Sequence, residues 1–456
     1  MTTTPATLPK TPTDRLFCAA KENDAIAALS ALADGADLNA RQPFTASKNA
    51  KPGHGRWRQV RDDAPLRQMR ETSTALSAAS AHGSGECVQL LLAKIPEDSL
   101  AEQAGEALYV AASAGSRHVV EMILDFCGPG LANERANNKD QLAIFAAVES
   151  GHLDCVEILA PLSNLSRRAP RGMSALHVAL SRGHAETAIL LSRNMEALAL
   201  SEEEISGEDA NLVMAAAEGG NARCVEAALA WAPEGAAAAG DGRTALMWAA
   251  ASDSPECVEL LLPLSCPCHE DYDFNTALHL AAQWGPSCVK LLAPLSNIEA
   301  TDADDRLTPL LRAISCGHVE AAKDLLAAGA SLSAKNHKGQ QAMHKALGSS
   351  SEMLLFLIKL GLDGKVLDKE KNSPLMTIAA FPEWFLGADA EIKISALLPV
   401  SDIDAQNADG QTAADIARTA GNIGVANQIN AWRATQEAEA LSQQIAPGSA
   451  RKSPSL

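Results

Sequence analysis

The sequence predicts an all-α fold, a helical repeat solenoid of about twelve helix-turn-helix units with loop or hairpin tips, on three observations. A short apolar phrase recurs: Ser174-Ala175-Leu176-His177, Thr244-Ala245-Leu246-Met247, Thr276-Ala277-Leu278-His279 and Thr308-Pro309-Leu310-Leu311 are versions of one another. It returns about once per 32 to 36 residues, the period of stacked helix pairs. The 456 residues are 47% hydrophobic yet 4% aromatic, so the core must be built from Ala, Leu, Val and Ile in thin, closely packed layers.

The central apolar residue of the phrase anchors each repeat in turn: Leu16, Leu76, Leu108, Ile144, Leu176, Leu212, Leu246, Leu278, Leu310, Met343, Leu375 and Ala414. Three residues on stands Ala (Ala19, Ala79, Ala111, Ala147, Ala179, Ala215, Ala249, Ala281, Ala313, Ala346, Ala417), with Ile378 as the exception. A small residue at one fixed place lets neighbouring helices approach closely. A Gly-containing turn follows, as in Gly151-His152, Gly183-His184 and Gly317-His318, and then an apolar run such as Val258 to Leu262 at helical spacing. Each repeat therefore reads as helix, turn, helix, loop. Five cysteines (Cys87, Cys155, Cys224, Cys257, Cys288) each precede Val in the second helix, which reads as a small buried side chain in a reducing compartment rather than as a disulfide framework.

This pattern closely resembles the ankyrin repeat, and the resemblance extends over roughly residues 14 to 432. Thr308-Pro309-Leu310, Gly317-His318 and the run from Leu325 to Ala330 make a nearly complete copy of the family signature. Ile144, after Gln141-Leu142, and Met343, after Gln341-Ala342, depart from it. The resemblance implies that the motif Thr caps the first helix and hydrogen-bonds the motif His, pairing Thr276 with His279 and Ser174 with His177. It also implies that His152, His184 and His318 tie adjacent loops together. These five histidines are expected to be structural.

A lone helix pair cannot bury its own apolar face, so end repeats must differ. The first, from Asp14 to Ala40, lacks the Thr-Pro start, and the last places Asp415 where the motif His belongs. Residues 1–13 read as a disordered start, 14–432 as the array, and 433–456 as a helix extension with a disordered tail.

A net charge of −18 argues against general affinity for nucleic acid or anionic membrane. No window approaches a transmembrane span, and the opening residues lack a secretory signal pattern, which points to the cytoplasm. An export signal hidden in the Thr-Pro-rich start would read the same way. No phosphate loop, nucleophile elbow or metalloprotease motif is present. Cys266-Pro267-Cys268-His269 with Glu270 and Asp271 lacks the second ligand pair that zinc sites draw on, so it reads as an ordinary loop. The chain is expected to have no catalytic residues, no metal and no cofactor.

Two stretches read as contact surfaces for another protein. Between Leu16 and Leu76 the chain runs sixty residues, and the excess, 41–70, holds eight Lys or Arg against Asp62 and Asp63. Arg56, Trp57, Arg58 and Arg61 make it a basic finger. In the middle of the array Tyr272 and Phe274 fall on a loop tip and Trp284 on a first helix, in places where the resemblance implies partner contacts. Arg243, Asp273, Asn275, Gln283 and Arg306 line the same stretch, while Trp248 is assigned to the core. Phe381 to Phe385 reads as a reshaped loop in repeat 11, and Glu202 to Glu204 as a solvated helix start. The function expected is a monomeric, non-catalytic scaffold or adaptor that binds another protein on a concave face. The alternative is a secreted or regulatory effector whose basic insertion 41–70 contacts nucleic acid or acidic lipid.

Overall fold

The computed structural model describes residues 11–42, 73–134, 141–169, 173–195, 211–237, 241–381 and 389–445. It divides into an N-terminal body, Met1–Ser265, and a C-terminal body, Cys266–Leu456. Among the described residues the helices form pairs, one pair around each of the twelve anchors, and no strand is present beyond one isolated bridge between Gln42 and Ser73.

Repeats 1 to 7 make the N-terminal body. Their first helices are Pro12–Glu22, Ala75–Ala81, Glu97–Ala114, Ala143–Ser150, Ala175–Ser181, Leu212–Glu218 and Ala245–Ala251. Repeats 8 to 12 make the C-terminal body, with first helices Ala277–Trp284, Pro309–Cys316, Ala342–Ala346, Pro374–Ala380 and Ala413–Thr419. Within each body, every first helix packs against the first helices of the repeats before and after it.

All twelve anchors are buried, and so is the residue three positions on in every repeat. Ala at that place brings two helix backbones together without a gap. The five Cys-Val pairs are fully buried near the start of second helices, and none of the ten cysteines is in a disulfide. Burial pushes the thiols of Cys87, Cys155, Cys224 and Cys257 up, to about 11 for Cys155 and about 12 for Cys224, as expected of inert core groups.

Helix starts follow the sequence. Thr74, Ser174, Thr244, Thr276, Thr308, Ser373 and Thr412 each accept a hydrogen bond from the backbone N–H three residues on. The two repeats that depart from the motif still form. Leu142 caps nothing with its side chain, yet Ala143–Ser150 is helical because Ile144 and its neighbours are buried on both sides. In repeat 10 the first helix shrinks to Ala342–Ala346. Repeat 3 differs in another way: its first helix reaches back to Glu97, because Pro96 and the acidic residues Glu97 and Asp98 start a helix where other repeats have a tip.

Polar links join the repeats. Thr276 Oγ1 lies 2.9 Å from His279 Nδ1, which also accepts the Thr276 N–H, so the Nε2–H of the ring donates to the carbonyls of Ala300 and Leu307, each 3.1 Å away. Ser174 Oγ lies 2.8 Å from His177 Nδ1. His344, which sequence reasoning passed over, takes the same role in repeat 10, its Nε2 donating to Asn372 O at 3.1 Å.

A second set of side chains reaches back one repeat to the carbonyls at the end of the preceding first helix. His152 Nε2 donates to Ser113 O at 3.0 Å and His318 Nε2 to Gln283 O at 3.0 Å. His118, Asn221, Ser252, Lys393 and Asn422 do the same for Gly83, Gly183, Ala217, Leu347 and Ala379. His152 and His184 lie over the glycine of the repeat before. A Cβ on Gly151 would meet the His184 ring at 2.6 Å, and the φ of +77° there already favours glycine.

Replacing Ala281 with Leu overpacks a fully buried contact and should cost about 1 to 3 kcal/mol in urea unfolding; unchanged stability would overturn the repeat register. Burial holds His184, His279 and His344 below the ordinary imidazole value of 6.5 in the folded chain. The unfolded chain therefore binds protons first, and the stability present above that value is lost as pH falls through and below it. The melting temperature should drop between about pH 7 and pH 5, and His279→Gln should lower it throughout while flattening the slope.

Candidate functional site

The tips of the C-terminal body are built to one plan. Each opens with a side chain that accepts backbone N–H groups from inside its own loop: Asp271, Asp302, Asn336, Asp368 and Asn407. Each tip then bonds to the one before. Ala303 donates to Asp273 O at 2.9 Å, His337 to Asp305 O at 2.9 Å, Lys369 to Lys338 O at 3.0 Å and Ala408 to Glu370 O at 3.0 Å. Five loops are thereby held as one row.

The first two tips are braced from below. Arg312, on the first helix of repeat 9, pairs with Asp302, whose side chain is 2% exposed, and reaches Asn275 Oδ1 at 3.4 Å. Asn275 in turn donates to both oxygens of Asp271. Lys345, at the equivalent place in repeat 10, donates to Asp305 at 3.4 Å, and His337 Nδ1 lies 3.1 Å from the other Asp305 oxygen. The charged side chains on the first helices of repeats 9 and 10 thus fix the orientation of the tips above them.

On this frame Tyr272 is 75% and Phe274 54% exposed, with Asp273 exposed between them. Phe274 and Arg306 occupy left-handed backbone, φ +57° and +54°, as does Lys371 at +61°, at the place where the tips of repeats 10 and 12 use Gly339 and Gly410. For a residue with a Cβ this conformation costs about 1 to 2 kcal/mol. Three bulky side chains are therefore carried outward where sister tips spend glycine.

The residues singled out in the sequence are sorted by the structure. Tyr272, Asp273, Phe274 and Arg306 are exposed on tips. Asn275 is 8% exposed and engaged with Asp271 and Arg312, so it supports the tip from within. Gln283 and Trp284 are half-buried at the end of their helix, and the Gln283 carbonyl receives His318. Arg243 belongs to the N-terminal body, where its guanidinium lies 5.6 Å from the centre of the Trp248 ring and its Nε 3.7 Å from Asp241. Trp248, assigned to the core from sequence, is half-buried. Arg56, Trp57, Arg58 and Arg61 lie outside the described residues, as do Glu202 to Glu204 and Pro382 to Phe385. The base of the insertion is described: Gln42 and Ser73 exchange backbone bonds at 3.0 and 2.8 Å, and Arg41 reaches Glu102 and Glu106, each at 3.3 Å.

Sequence reasoning missed Arg312, Lys345, Asp302 and His344. The signal was available for the first two, a charged residue two places after the anchor in consecutive repeats, where every other repeat carries an uncharged one such as Ala78, Val178, Trp248 or Thr377. Around Cys266 and Cys268 both thiols are exposed, Cys268 donates to Leu295 O at 3.7 Å, and Asp271 is occupied by its own loop. Among the described residues no three His, Cys, Asp or Glu side chains are grouped to hold a metal ion, and no helix is long and apolar enough to cross a membrane.

Comparison with known proteins agrees with this construction. The family model for ankyrin repeats (3 copies) matches residues 108–199, 190–271, 212–304 and 264–336. The B-cell lymphoma 3 protein homolog of Mus musculus is 29% identical over 143 residues, covering 30% of this chain and 32% of that protein, so the match spans about a third of the relative's length. The solved ankyrin repeat domain of Bcl-3, titled a unique member of the IkappaB protein family, aligns at 20% identity with a TM-score of 0.36, covering 55% of this chain and 96% of that one. With the family model spanning half of its length, the chain belongs to the ankyrin repeat family, whose arrays are protein-interaction repeat domains.

Proposed function

We propose that the chain is a non-catalytic scaffold or adaptor that holds a protein partner on the tips and first helices of its C-terminal body. The observation that carries this reading is the tip of repeat 8. Tyr272 and Phe274 stand exposed on a loop whose buried hydrogen bonds to Asp271 leave it little freedom, so little ordering entropy is lost on binding. Large aromatics on a rigid support are the usual anchors of protein interfaces.

The titratable groups fit a scaffold rather than an enzyme. His279 and His344 are buried and bonded to backbone carbonyls, and Asp302 is buried and paired with Arg312. Groups so occupied are not poised to exchange protons with a substrate. The same reading makes the protein a cytoplasmic monomer, with the basic insertion 41–70 as an accessory contact.

Capture from a cell lysate with the full chain tests this. Tyr272→Ala with Phe274→Gly should weaken the partner by about 2 kcal/mol or more, roughly thirtyfold in affinity. Phe274→Gly alone relieves left-handed backbone and should leave the urea midpoint unchanged or raise it, so the loss of binding is not a loss of folding. A partner retained by the tip variant and lost only on deleting residues 41–70 would move recognition to the basic insertion. A partner indifferent to both would sink the reading.

A further inference from the structure

We infer that the joined tips of repeats 10 and 11 form a lysine clamp that reads an acidic segment of the protein partner. This rests on the binding role proposed above and specifies the chemistry of what is bound. Lys335, Lys338, Lys365, Lys369 and Lys371 are all exposed on these two loops. Among the described residues none of the five is in an ion pair. Against these five stand two exposed carboxylates on the same loops, Glu370, which accepts from Asn372 at 3.4 Å, and Asp363, which accepts the backbone N–H of Lys365 at 2.8 Å.

The lysines are brought together by the fold. Lys369 donates its backbone N–H to Lys338 O at 3.0 Å, and its side chain lies against Gly339, where a Cβ would meet Lys369 Cγ at 3.0 Å. Lys371 is held in left-handed backbone at φ +61°, the place where the tips on either side use Gly339 and Gly410. One neighbouring carboxylate is already engaged: Asp305 of repeat 9 takes both His337 and Lys345. What faces solvent is a concentrated positive patch on a chain of net charge −18.

The extent of the patch selects the ligand. It covers two tips and is flanked by exposed carboxylates, Asp304 in repeat 9 and Asp409 in repeat 12. A polyphosphate backbone continuing past those tips would meet repulsion, whereas a short run of Asp and Glu would not. Two tips away along the hydrogen-bonded row stand Tyr272 and Phe274. The complementary partner is therefore an extended segment, apolar where it crosses repeat 8 and acidic where it crosses repeats 10 and 11.

The test is selection of binders to the full chain from a random-peptide display library, followed by affinity and association-rate measurements at increasing salt. The variants are Lys338→Glu with Lys369→Glu and Lys371→Gly, and separately Tyr272→Ala with Phe274→Ala; circular dichroism checks that each is folded. Selected peptides should carry clustered Asp or Glu, weaken as salt rises, and lose about tenfold in affinity on the lysine variant, mainly through slower association. Peptides without acidic clusters, or acidic peptides that bind the lysine variant equally well, would overturn the clamp. If such peptides are still lost on the aromatic variant, the scaffold reading stands and the clamp alone fails. Single-stranded oligonucleotide that binds more tightly than the selected peptides, and is lost on the lysine variant, would also overturn it, in favour of a phosphate ligand.

Discussion

Every repeat of this chain depends on a neighbour to complete it. A first helix of seven or eight residues leaves about four carbonyls without partners in the helix and one apolar side uncovered. The next repeat meets both needs. Its buried Ala lets the helix approach, and a side chain from the turn or second helix, His152, His318, Asn221 or Asn422, donates to the open carbonyls. Stability therefore accumulates through interfaces rather than inside single repeats, and removal of one contact is felt on both sides of it.

The same dependence makes the tips rigid enough to recognise something. A loop tip between helices would ordinarily be among the most mobile parts of a protein. In the C-terminal body each tip is closed by its own Asp or Asn, each after the first is tied to the previous tip by a backbone bond, and those of repeats 8 and 9 are braced by Arg312 or Lys345 from the helices beneath. A buried pair such as Arg312 with Asp302 contributes little net stability compared with apolar packing. Its effect is to specify where Asp271, Asn275 and the tip above them sit. Left-handed Phe274, Arg306 and Lys371 show the same preference of position over stability, because glycine at those places would relieve the backbone.

The charge distribution separates the two kinds of histidine and lysine in the molecule. His279 and His344 are buried, neutral and spent on carbonyls, and Lys393 is buried with its ammonium on Leu347 O and Ser349 O. These groups serve the stack. Lys338, Lys369 and Lys371 face solvent on tips that the stack has already fixed. Residue type alone does not distinguish the two sets.

The sequence by itself determined the repeat: its period, its Cys-Val positions, its Thr and Ser caps and its anchor and Ala places, except in repeat 6, where the cap Asn211 puts Val213 and Ala216 in the places assigned to Leu212 and Ala215, all rest on local spacing, and local spacing decides which side of a short helix is apolar. It also identified Thr276 with His279 and the exposed aromatics of one tip, since these lie within a few residues of the motif. Tertiary structure alone decided what binds across repeats. His344 was hidden because the residues before it are Gln341 and Ala342, and Glu97 to Gln103 became helix because Pro96 and two acids start one there. Arg312 meets Asn275 thirty-seven residues away and Lys369 meets Lys338, contacts that exist only once the repeats are stacked. A repeat period fixes which residues share a place in their own units; how far one side chain reaches into the next unit is set by the packing distance between them.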